Sequence, residues 1–104
     1  MKIVFLDKDL ESLLQGKESR KYKKYPRDTK FMQRLMRVFY DLRDAPSTDN
    51  LRQYSYLHYE KLRGADRSSV RVMNGRVERL IFREVDGGIE IEMLEMNTDH
   101  YGDR

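Results

Sequence analysis

Between Asp28 and Pro46 the chain reads DTKFMQRLMRVFYDLRDAP. Phe31, Met32, Leu35, Met36, Val38, Phe39 and Leu42 recur at helical spacing and form one wide apolar stripe. A helix with such a stripe must bury it against a second apolar layer, so this segment constrains the fold more than any other. The helix starts near Asp28, and Pro46 ends it because proline cannot continue the hydrogen-bond ladder. Ser47 to Leu51 reads as a further short turn.

The flanks supply the second layer. Upstream, KIVFL is a β-type run. Asp7 then caps a helix carrying Leu10, Leu13 and Leu14, with Gly16 as its stop. Downstream, β-branched and aromatic residues alternate with polar ones, which predicts strands at about 54–62, 68–73 and 76–84. A last strand, 88–96, follows Gly87-Gly88 and shows the alternation IEIEM. The expected architecture is therefore α+β: one domain over 1–104, two N-terminal helices packed on one face of a small, mainly antiparallel β-sheet.

Composition narrows the chemistry. The chain has 104 residues, enough for one modest core. It contains no cysteine and two histidines, which excludes disulfides and thiolate chemistry and argues against a zinc site. No apolar run approaches the roughly 20 residues of a membrane span. The N-terminus turns acidic too soon for a signal peptide, so a cytoplasmic location is expected. Net charge is only +3, but residues 17–30 hold seven Lys/Arg and residues 84–104 hold seven Asp/Glu. Such a dipolar chain suits a polyanion on one surface and a basic partner on another.

The arginines between 63 and 83 raise a question of parity. Asn74-Gly75 signals a turn. A two-residue loop would put Arg79 among Val70, Val72 and Ile81, against the helices, where an arginine is costly. A three-residue loop, with Gly75 in a left-handed conformation and Val72 facing Arg76, gathers Val70, Val72, Leu80 and Phe82 on one face. It leaves Arg71 and Arg79 on the other, and the expectation is this second register. Glu78 then falls on the helix side, close to Arg76. Two guanidinium groups on one sheet surface match phosphate oxygens bidentately. The competing use is ion pairing with Glu90, Glu92 and Glu95 of the last strand.

His58 and Glu60 lie two apart on the expected strand and so share a face. Asp99-His100-Tyr101 follows the last strand. Cutting RNA without a metal or cofactor needs a base for the ribose 2′-hydroxyl, cations for the phosphorane oxygens and an acid for the departing 5′-oxygen. Glu60 or His58, Arg79 with Arg71, and His100 are candidates for those roles.

The stretches EKLRG, SVRV and ERLIFR and the terminal DHY, in that order, resemble the RelE superfamily of bacterial toxins. The similarity is to its HigB and YoeB-like branches, the addiction-module killer proteins. It is specific over 60–83 and at 99–101, and architectural before residue 50. The resemblance implies a RelE-like fold and a type II toxin–antitoxin toxin, a ribosome-dependent mRNA endonuclease. In that chemistry the 2′-hydroxyl attacks its own phosphate. The implied partners are the bacterial ribosome with its mRNA and a cognate antitoxin, usually a helix-turn-helix DNA-binding protein. The family's Leu-Lys-Gly turn matches Leu62-Arg63-Gly64. Its base position, two before that leucine, matches Glu60, with His58 one strand period earlier. Its strand arginines match Arg79 and Arg71, and its terminal pair matches His100 as acid and Tyr101 as a stacking group. HigB relatives commonly end Asp-Tyr-His where this chain reads Asp-His-Tyr, which leaves open which residue gives the proton.

Arg63 and Arg76, with Lys21, Lys23 and Lys24 of the basic run, are expected to contact RNA phosphates. Tyr22 and Tyr25 offer base stacking or core packing. The alternative to a nuclease is a non-catalytic RNA- or protein-binding module on the same fold. A DNA-binding role is disfavoured, since the 28–43 helix is needed for the core.

Overall fold

Two aspartates start the two helices. In the computed structural model, which describes residues 1–64 and 66–98, the Asp7 carboxylate accepts from the amides of Asp9 and Leu10 at 3.1 and 3.2 Å. This caps α1, Lys8–Leu14. Asp28 accepts from the Phe31 amide at 3.2 Å and caps α2, Thr29–Asp44. Ala45, held extended before Pro46, terminates it.

Among the described residues five strands follow in chain order: β1 Lys2–Phe5, β2 Glu60–Lys61, β3 Ser68–Arg71, β4 Arg79–Val85 and β5 Glu90–Asn97. They form one sheet in the order β1-β5-β4-β3-β2. β1 and β5 run parallel, with Lys2 beside Glu90 and Phe5 beside Met93, and the other pairs are antiparallel. A parallel neighbour needs a crossover, and the helical segments between β1 and the meander provide it.

Both helices pack on one face of the sheet. Leu10 and Leu13 of α1 and Phe31, Leu35, Val38 and Leu42 of α2 meet Val70, Val72, Leu80, Phe82, Ile91, Met93 and Met96. Each of these is at most 2 % exposed, and burying such a side chain contributes about 2 kcal/mol. Met32, Met36 and Phe39 are only partly buried, so the helical stripe is narrower than its sequence. In β5 the alternation changes phase. Phe82 pairs with Met93 but Ile81 pairs with Glu95, so Leu94 is an extra bulged residue. That bulge turns Met96 inward behind Ile91 and Met93.

The expected strand at 54–62 is not formed over most of its length. Thr48–Gln53 and Ser55–Leu57 are short 3₁₀ turns, and pairing begins only at Glu60. Tyrosine anchors explain this. Tyr56 donates to Asp41 of α2 at 2.6 Å and Tyr59 donates to Glu84 of β4. Their spacing of three suits a tight turn, and Leu51 and Leu57 are buried in the same arrangement.

The hairpin register also differs from expectation. Arg71 pairs with Arg79 and Val70 with Leu80. The Val72 amide donates to the Glu78 carbonyl at 3.3 Å, so Val72 faces Glu78 rather than Arg76. The turn is closed by the Arg76 amide on the Met73 carbonyl, with Gly75 at φ +81° as its left-handed residue. The partner shifts by two residues, which keeps every side chain on its expected face. Ion pairs pull the loop wide, because Arg76 reaches into the helical layer.

Candidate functional site

The sheet face opposite the helices carries the candidate cluster. Cross-strand pairing puts Glu60 beside Ser69, Ser69 beside Ile81 and Arg71 beside Arg79, so these side chains share that face. Arg79 is the anchored member. Its Nε donates to Ser69 Oγ at 2.9 Å and its Nη2 donates to the His58 carbonyl at 2.7 Å. Nη2 also lies 3.6 Å from a Glu60 carboxylate oxygen. Arg79 is 13 % exposed and Glu60 58 %, so the carboxylate faces solvent beside a fixed guanidinium. Arg71, directly opposite, donates to Asn74 Oδ1 at 3.0 Å. Two cations and one carboxylate thus share one sheet face, with Glu60 at its exposed edge, a composition suited to a phosphodiester and its 2′-hydroxyl.

Two of the last-strand acids engage other cations. Glu92 takes Arg83 at 2.9 Å and Glu90 lies 3.9 Å from Lys2. Among the described residues, Glu60 of the edge strand β2 lies beside Arg79.

His58 does not share a strand with Glu60. It ends the Ser55–Leu57 turn in a left-handed conformation, φ +44° and ψ +50°. Such a conformation costs a non-glycine residue on the order of 1 kcal/mol. The Ser55 carbonyl, which accepts from the His58 amide, and Arg79, which donates to the His58 carbonyl, hold it there. Arg63 is exposed in the turn after β2. His100 and Tyr101, with Asp99, lie outside the described residues.

Arg76 is not part of this face. It donates to Asp28 at 2.7 Å and to both oxygens of Glu78 at 3.2 and 3.0 Å, and it lies 4.7 Å from the Phe31 ring centroid. Glu78 is buried and also accepts from Tyr25 at 3.0 Å. Burial works against the Glu78 carboxylate, but Arg76, the backbone amide and Tyr25 outweigh it and hold its pKa below the ordinary value. Arg76, expected to contact phosphate, is engaged by Asp28 and Glu78 on the helix side.

The basic run divides in the same way. Tyr22 and Tyr25 are 1 % and 2 % exposed, so they are core and not stacking platforms. Tyr22 donates to Asp7 at 2.6 Å, and burial, reinforced by that carboxylate, pushes its pKa up to about 12. Lys21 is committed to Asp7 at 3.0 Å. Lys23 and Lys24 are exposed, Lys24 lying over the Tyr25 ring at 5.3 Å.

Glu84, on the helix side, accepts from Thr48 at 2.9 Å, Ser68 at 2.7 Å and Tyr59. Burial opposes its charge, yet these donors and Lys61 hold its pKa low. No local sequence pattern marks this carboxylate, nor Ser69, Arg52 and Tyr59, for these contacts. The tyrosine density of 54–59 was the available signal. Among the described residues no three His, Asp or Glu side chains are grouped as a metal set would be, and no helix is long and apolar enough to cross a membrane.

Comparison with family models, curated proteins and solved structures finds no match to the chain.

Proposed function

We propose that the chain is a type II toxin of the RelE kind, a ribosome-dependent mRNA endonuclease. The observation that carries this reading is the Glu60–Arg79–Arg71 cluster on the helix-free face. Glu60, exposed and hydrogen-bond competent, takes the proton from the ribose 2′-hydroxyl. Arg79 and Arg71 hold the phosphate and stabilise the charge that builds on its equatorial oxygens. The acid for the leaving 5′-oxygen is assigned to His100, with Tyr101 stacking on a base; both come from the family resemblance. Lys23, Lys24 and Arg63 add sequence-independent phosphate contacts. The proposed partners are the ribosome and a neutralising antitoxin, and the site of action is the cytoplasm.

A second reading has its own support. Arg79 is tied to Ser69 and His58 as a structural arginine would be. A binding module that docks RNA or protein without cutting it would use the same surface. Brief induction followed by mapping of cellular mRNA 5′ ends separates the two. The nuclease gives new ends in phase with codons, lost in Glu60→Ala and Arg79→Ala. No new ends from a folded, well-expressed wild-type chain would leave the binding module.

A further inference from the structure

A pocket of about 390 Å³ is lined by Leu51, Arg52, Tyr54, Ser55, His58 and Tyr59, beside the β2 edge, and His58, whose carbonyl accepts from Arg79, links it to the cluster around that edge. One wall is layered. Tyr59 stacks on Phe82 with centroids 6.4 Å apart and planes 17° apart, and Arg52 sits over the Tyr59 ring at 4.9 Å. Arg52 is exposed, and among the described residues no carboxylate pairs with it and no acceptor takes its N–H groups. A guanidinium held by a ring alone keeps its fork and its plane available to a ligand.

His58 lines the pocket and is exposed. Its imidazole has no hydrogen-bond partner among the described residues, while its carbonyl accepts from Arg79. The left-handed backbone at this residue is a local cost, and such costs gather at ligand sites. One residue therefore belongs to both features: its carbonyl accepts from the arginine and it lines the pocket.

We infer that the pocket holds one nucleotide of single-stranded RNA next to the phosphate bound by Arg79. The base stacks on the Arg52 plane and the His58 imidazole bonds to its edge. Guanidinium planes and aromatic side chains are the usual platforms for unstacked bases, and the pocket size suits a ligand of that scale. This inference rests on the reading of the cluster as an RNA site.

The test uses the full chain and an uncleavable 2′-O-methyl hexanucleotide bearing 2-aminopurine, whose fluorescence falls when it stacks. Wild type quenches the probe at low salt. Arg52→Ala abolishes the quench and weakens binding about tenfold, and Arg52→Lys, which keeps charge but not the plane, also abolishes it. Unchanged thermal melting in both variants shows that the exposed side chain was not holding the fold. No quench by wild type at millimolar protein, or a quench that both variants retain, overturns the inference. An Arg52-dependent quench in a chain that yields no new mRNA ends supports the pocket while removing the nuclease reading.

Discussion

Arg71 and Arg79 stand directly opposite one another on β3 and β4. Like charges at facing positions repel, by roughly 0.2–1 kcal/mol relative to a neutral pair. Glu60 offsets the charge of Arg79, whereas Arg71 is held by Asn74 alone among the described residues. Arg71→Thr should therefore raise stability by up to about 0.5 kcal/mol. Under the proposed function it should also lower mRNA cleavage at least tenfold. Urea unfolding and a cleavage assay on one preparation check both. A clear loss of stability would make Arg71 a structural residue.

Glu60→Gln keeps size and shape at an exposed position, so the fold should change by no more than about 0.5 kcal/mol. Removal of a general base should slow cleavage by about 10²–10⁴-fold. Single-turnover rates on ribosome-bound mRNA decide this, since a rate within a factor of three of wild type would discard Glu60 as the base.

Arg76→Ala should destabilise the chain by about 2–4 kcal/mol, because it strands the buried Glu78 carboxylate. Glu78→Gln in the same background should recover part of that loss. A purely RNA-contacting Arg76 would instead leave the urea midpoint unchanged.

Gly88→Ala should cost about 2–4 kcal/mol. A Cβ there would meet Thr48 Oγ1 at 2.3 Å, at φ +91°, and the Thr48 hydroxyl is itself held by Glu84. At Gly87, φ +72°, a Cβ meets nothing, so Gly87→Ala should cost only about 1 kcal/mol. Denaturant midpoints of the two variants test the contrast.

Stability should fall at both ends of the pH scale. Asp7 and Glu84 are opposed by burial but held low by hydrogen bonds, as Glu78 is. Their folded-state pKa values lie below the unfolded ones, so their contribution is complete above about pH 4–5 and is lost as pH falls through the folded values. Tyr22 is shifted the other way, to about 12 by burial and Asp7. Its contribution is complete below about pH 10 and disappears as pH rises toward 12. Melting temperature against pH should show both limbs, and Tyr22→Phe should flatten the alkaline one.

The helices were legible because their signals are local: Asp7 and Asp28 at the caps, a 3.6-residue stripe, and Pro46 as a stop. The face of each hairpin arginine was legible too, since Val70, Val72, Leu80 and Phe82 could share a buried side in only one parity. The pairing itself was not. The buried Glu78, with Tyr25 and Arg76 around it, widened the loop, and nothing near Asn74-Gly75 encodes an aspartate at position 28. The segment 54–59 failed for the same reason. Its alternation looks like a strand, but its tyrosines find carboxylates on α2 and β4.

By itself, then, the sequence determined the layers: two amphipathic helices, an antiparallel meander, and a charged sheet face turned away from them. Only the tertiary structure decided the contacts of the candidate site, namely Glu60 beside Arg79, His58 in a left-handed turn, and Arg52 laid over Tyr59. Periodicity is a property of neighbouring residues along a chain. A cluster depends on distant residues meeting, and long-range burial and ion pairing select those meetings after the layers have formed.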